Sequence, residues 1–145
     1  MKIALLDVNM LIAITWPSHI HHQLARNWFE EHARKGWATC PVTEGGFIRI
    51  SSNQKLIKDA VSPEEARRVL SDFHQTGSHH FWKDEISYAA SELPFTFLTG
   101  HRQVTDAYLL GLAIYKQGCL VTLDQGIAHL LAKNSPRHQS LCVVR

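Results

Sequence analysis

Residues 3–9 read IALLDVN. The four apolar residues at 3–6 carry no polar alternation, the pattern of a strand buried on both faces of a parallel sheet. The run ends on Asp7, and MLIA follows Asn9 at once. A carboxylate set in such surroundings loses several kcal/mol on burial, or takes up a proton, unless something pairs with it. Asp7 therefore marks both the end of a buried strand and a place where charge has a use.

Working outward, the same grammar recurs. Residues 20–35 read as a helix with Leu24, Trp28 and Phe29 on one side, closed by Gly36. WATCPV at 37–42 reads as a second strand, after which Thr43 can cap a helix carrying Glu44, Phe47 and Ile48. Ser62-Pro63-Glu64-Glu65 is a helix start, with Ser62 as N-cap, Pro63 as first helical residue and Glu65 as capping-box partner. HHFW at 79–82 is a strand candidate, and residues 84–92 are expected to form a short helix before Pro94. Residues 104–117 form the clearest helix, stopped by Gly118. CLVTL at 119–123, a short helix over 126–133 and LCVV at 141–144 complete the pattern. Strands alternating with helices predict an α/β fold with a mainly parallel, five-stranded sheet flanked by helices.

The length of 145 residues suits a single domain over 1–145, and no linker or internal repeat divides it. The apolar N-terminus is interrupted by Asp7 and lacks a small-residue cleavage site, so a soluble, cytoplasmic protein is expected, with no membrane contact. Three widely spaced cysteines, Cys40, Cys119 and Cys142, are expected to be buried free thiols. The His19–His22 cluster matches no standard ligand spacing and reads as a surface turn. Net charge is +2, but setting four acids aside leaves 15 basic residues against 9 acidic ones. A basic shell around an acidic pocket suits a polyanion drawn to a metal-loaded site.

Those four acids are Asp7, Glu44, Asp106 and Asp124. Asp7 and Asp124 end apolar strands; Glu44 and Asp106 open helices. In an open parallel sheet these positions share one edge, where ligands bind at the reversal of strand order. Singly, Glu44 and Asp106 also suit helix dipoles, and Asp124 suits a turn. Together they repel unless cations intervene, and oxygen ligands without nearby cysteine or histidine favour Mg²⁺ or Mn²⁺ over zinc.

Four segments, LLDVN, TEGGFIRI, VTDAYLLGLA and LVTLDQG, resemble the PIN domain in order and spacing, in particular the VapC-type toxins of bacterial toxin–antitoxin pairs. The resemblance spans Met1 to Arg145 and aligns Asp7, Glu44, Asp106 and Asp124 with the family's acidic quartet. Asn9 and Thr122 align with polar residues that accompany it. It implies a Rossmann-like sheet, Mg²⁺- or Mn²⁺-dependent hydrolysis of RNA to 5′-phosphate and 3′-hydroxyl ends, a homodimer, and a VapB-like antitoxin as partner. Arg102, before the Asp106 helix, and Arg49 are expected to contact RNA phosphates. Gly45-Gly46 departs from a good helix start, since each glycine costs about 1 kcal/mol relative to alanine; either a close backbone approach or a substrate can account for the pair. Two other readings stand beside this one: a catalytically silent PIN module that binds RNA or protein, and a receiver-like phosphoacceptor domain. The second fits poorly, because LLDVN supplies one acid where an acidic pair is needed.

Overall fold

The computed structural model describes residues 2–145. Five strands, β1 (Ala4–Leu6), β2 (Trp37–Thr39), β3 (His79–Phe81), β4 (Cys119–Thr122) and β5 (Leu141–Val143), form one sheet in the order β3-β2-β1-β4-β5. Every pairing is parallel. Strand order reverses at β1, whose chain leads to β2 on one side and is joined by β4 on the other. A receiver-type sheet has the order 2-1-3-4-5, so the topology disfavours that reading.

The strands are short, and alternation within them sends side chains to two cores. Ala4, Leu6, Trp37 and Val121 face the helices α1 (Val8–Thr15), α2 (His22–His32), α3 (Pro41–Ser51) and α4 (Pro63–Phe73). Leu5, Ala38 and Leu120 face α5 (Val104–Tyr115). α5 is buried continuously from Ala107 to Ala113, as a helix packed squarely across a sheet must be. Each fully buried leucine of this kind contributes roughly 1.5–3 kcal/mol. No described helix is long and apolar enough to cross a membrane. The three cysteines are free; Cys40 is buried, Cys119 and Cys142 half-buried.

The local reading needs correction at five places. Cys40 and Pro41 leave the second strand: Pro41 is the first residue of α3 and Cys40 its N-cap. Thr43 lies inside that helix, and its hydroxyl accepts the Cys40 N–H at 3.0 Å. Ser62 caps α4 by accepting the Glu65 N–H at 3.1 Å, but the Glu65 carboxylate turns to Arg68 at 3.4 Å instead of closing a capping box. Residues 84–92 are not helical; the Ser87 hydroxyl accepts the Ala89 N–H at 3.0 Å, and such serine turns compete with helix formation. Residues 125–130 form a 3₁₀ segment in place of an α-helix. After α5 the left-handed residue is Gln117 (φ 57°) and not Gly118. Gly118 is needed for space: a Cβ there would lie 2.6 Å from the Ile3 carbonyl and 2.6 Å from the Trp82 ring.

The Gly45-Gly46 pair divides in the same way. A Cβ on Gly46 would stand 2.7 Å from Val8 Cγ2, whereas one on Gly45 meets only the Arg49 guanidinium at 3.3 Å. Gly46 therefore lets α3 press against the start of α1, and Val8 is too stiff at χ1 to give way. Gly46→Ala should lose about 1–3 kcal/mol by overpacking. Gly45→Ala should gain up to about 1 kcal/mol from helix propensity. Urea unfolding of the two variants beside the parent measures both, and equal stabilities would contradict the assignment.

Candidate active site

Backbone pairing sets the first two acids side by side. The Asp7 N–H donates to the Val121 carbonyl at 2.9 Å, continuing the β1–β4 ladder one residue past its formal end. This brings Asp7 level with Thr122. The Thr122 hydroxyl donates to Asp7 Oδ2 at 2.7 Å and accepts from Asn9 Nδ2 at 3.1 Å and from the Asp124 N–H at 3.0 Å. One donor and two acceptor positions are all a hydroxyl has, so Thr122 is fully used. The Asn9 amide oxygen accepts the Leu123 N–H at 3.1 Å, which fixes the amide's orientation. Asp7 Oδ1 accepts the Val8 N–H at 2.7 Å, so the same carboxylate is the N-cap of α1. Asp124 Oδ1 accepts the Gly126 N–H at 2.8 Å and caps the 3₁₀ segment.

Asp106 occupies the first turn of α5, and its carboxylate makes no hydrogen bond or ion pair with another described residue. Burial, then the charges of Asp7 and Asp124, push its carboxyl up to about 6. Burial also raises Asp7, outweighing the Thr122 and Val8 hydrogen bonds, and the Asp124 charge adds to the rise. The three aspartates share a cleft of about 410 Å³ with Asn9 and His19, walled on the apolar side by Ile12, Ile50, Leu56 and Ile57.

Glu44 is not part of this lining. It follows β2, on the opposite side of β1 from β4 and Asp124, although Ile50 of the same helix does reach the cleft. Glu44 Oε2 instead accepts the Thr39 hydroxyl at 2.7 Å and lies 2.8 Å from His74 Nε2. His79 Nε2 lies 2.8 Å from the same Thr39 hydroxyl. Glu44, His74 and His79 offer ligand atoms all within 4.8 Å of one another, close enough to hold a metal ion. The expectation that no histidine neighbours the acids thus fails at Glu44. It fails at His19 too, since that member of the surface cluster turns into the aspartate cleft. No spacing in the sequence signals either; the fold alone joins residue 44 to residues 74 and 79. Arg49 and Arg102 are exposed, and neither lines the cleft.

No protein-family model matches the chain. Curated relatives do. Ribonuclease VapC38 of Mycobacterium tuberculosis is 47% identical over 92% of this chain and 93% of its own length. Ribonuclease VapC29 of the same organism is 44% identical, over 87% of this chain and 89% of its own length. Ribonuclease VapC39 is 41% identical, over 86% and 91%. The chain belongs to the VapC family of PIN-domain ribonucleases. For a VapC protein the all-parallel sheet flanked by helices is the expected frame.

The raised carboxyls carry a stability prediction for metal-free protein. Asp106 binds its proton in the folded state up to about pH 6 and in the unfolded state only below about 3.8. The folded form therefore holds more protons between those limits, and this group's contribution to stability declines as pH rises from about 4 to 6. Asp106→Asn removes the penalty. In chelator the variant should be more stable than the parent at pH 7, by about 1 kcal/mol after screening of a half-buried group by water. The gap should close near pH 4. Paired thermal melts across that range test it, and a parent more stable at pH 7 would refute it.

Proposed function

We propose that the chain hydrolyses RNA phosphodiester bonds with Mg²⁺ or Mn²⁺ held by Asp7, Asp106 and Asp124, as the toxin member of a VapBC-type pair. The observation that carries this is Asp106, an acid without a partner, facing two further carboxylates across one cleft. The donor set fits a hard dication. Each Asp7 oxygen accepts one hydrogen bond and keeps a lone-pair position free, and the repulsion that raises Asp106 is what a cation relieves. Bound there, the ion supplies Lewis acidity, offsetting charge that builds on the phosphate and making water a competent nucleophile near neutral pH.

The protein's own part is positioning. Thr122 and Asn9 hold Asp7 and Asp124 in fixed register. His19 Nδ1 accepts the His21 N–H at 3.0 Å, so the neutral ring carries its proton on Nε2 and can donate it to a phosphate oxygen. Ile12, Ile50, Leu56 and Ile57 give an unstacked base an apolar surface and keep water away from the carboxylates. Arg49 and Arg102 remain candidates for phosphates farther along the strand. Glu44 joins the aspartates only by releasing Thr39 and His74. Exposed Tyr88, Phe95 and Phe97 supply apolar surface for a second copy of the chain or for the antitoxin.

Asp7→Asn and Asp106→Asn should reduce Mg²⁺-dependent cleavage of single-stranded RNA to the level seen in chelator, with unchanged circular dichroism. Thr122→Val should retain the acids but lower the rate about 10–100-fold, the usual loss when the support of a metal ligand is removed. Parent-like cleavage by either aspartate variant defeats the proposal.

A further inference from the structure

The chain's net positive charge lies in its C-terminal part. From Leu93 to Arg145 the only acids are Asp106 and Asp124, against Arg102, Lys116, Lys133, Arg137 and Arg145. Lys116 is paired with Glu85, whereas Arg102, Lys133, Arg137 and Arg145 make no ion pair among the described residues. The same stretch encloses a pocket of about 200 Å³, with Pro94 and Phe97 on one wall and Leu131, Ala132 and Arg137 on the other. Both walls lead to the acidic cleft. The first continues through a 3₁₀ turn, His101–Gln103, into α5 and Asp106; the second follows the 3₁₀ segment that Asp124 caps. Pro94 lies against Gly111 of α5, about 7.5 Å along the helix axis from Asp106. Internal hydrogen bonds hold both walls. Gln103 Oε1 accepts the Thr99 N–H at 2.7 Å and the Thr99 hydroxyl at 3.1 Å. Opposite, Ser135 Oγ accepts the Arg137 N–H at 3.1 Å, and His138 Nε2 donates to the Ala132 carbonyl at 2.8 Å. Tyr88 and Phe95 meet edge to face at 6.4 Å, but Phe97, 50% exposed, has no aromatic partner among the described residues.

We propose that this pocket takes one base of a single-stranded RNA substrate, stacked on Phe97, with Arg137 on an adjoining phosphate. The inference rests on the RNA hydrolysis proposed above and adds where the strand is held. The volume is below the roughly 300–1,000 Å³ of sites for drug-sized ligands, which suits a single planar base with its sugar and phosphate outside. Charge selects RNA over protein. An open aromatic face on a surface with no acid beyond the two of the cleft suits a polyanion whose every base has a π face. A second copy of the chain, docked two-fold on this patch, would bring its positive charge against itself. The isoleucines of the cleft belong to the core under α1–α4, and Leu131 to the core under α5. The aspartates stand at the sheet edge between these faces. A strand crossing that edge lays bases on both faces, with the scissile phosphate at the carboxylates.

The test is an anisotropy titration of a fluorescein-labelled, mixed-sequence single-stranded RNA with full-length protein in chelator, beside steady-state cleavage in Mg²⁺. Phe97→Ala should weaken binding about tenfold or more, the order of one lost base stack, and raise KM by a similar factor with kcat little changed. Phe97→Tyr should bind as the parent does and Phe97→Leu should not, which separates stacking from apolar contact. Arg137→Gln should lower the slope of log affinity against log salt by about 0.7, one phosphate contact, a slope the Phe97 variants leave unchanged. Parent-like affinity in Phe97→Ala and Arg137→Gln overturns the proposal, as does full affinity in Phe97→Leu. So does a parent dimer that Phe97→Ala converts to monomer in sedimentation, which would assign Phe97 to a contact between copies. A parent that binds RNA through Phe97 yet cleaves none leaves the pocket standing and removes the nuclease reading. Cleavage by a parent that its Phe97 and Arg137 variants match does the reverse. A parent that binds no RNA removes both.

Discussion

The Thr122 hydroxyl, saturated between Asp7, Asn9 and Asp124, is the contact on which the cleft depends. Parallel strands leave their last carbonyls and amides at one edge, and β1 and β4 end there side by side. A carboxylate so placed is almost fully buried, and burial alone would drive it toward the neutral form. Thr122 resists this with a hydrogen bond and, through Asn9 and the Asp124 amide, keeps two acids from drifting apart under their own repulsion. Charge gathered this way is unfavourable by itself, which is why the arrangement is read through what it can hold and not through what it adds to stability.

The frame was legible because β1, β2 and β4 are short, buried, mainly apolar runs, and most helices carry chemical punctuation. Ser62-Pro63 located α4, and the apolar block after Thr105 located α5. What escaped was set by competition between local alternatives. Cys40-Pro41 looked like strand because it is apolar, yet proline at a first helical position is favourable and draws the helix start forward. Residues 84–92 have helix-compatible letters, but the Ser87 hydroxyl satisfies the backbone locally.

At the cleft, Asp7, Asp106 and Asp124 were visible as acids at strand ends and at a helix start, since those addresses follow from topology alone. The Glu44 carboxylate turns to Thr39 and His74, and a partner thirty residues away is encoded by no local pattern. The histidines around Glu44 were invisible for a related reason. His74 and His79 lie thirty residues or more from it along the chain, and the packing of α3 on α4 and the β2–β3 pairing bring them together. The spacing of His19 to its neighbours carries no sign of the turn that folds it back toward Ile12.

Asp7 caps α1 with one oxygen and answers to Thr122 with the other. A single side chain thus serves helix initiation and the acidic cleft at once, and the two demands can be separated chemically. Asparagine preserves the cap and discards the charge; alanine discards both. A lineage of this fold that abandoned catalysis would therefore drift first to asparagine at position 7, and an alanine there would mark a chain that had already found another way to begin its first helix.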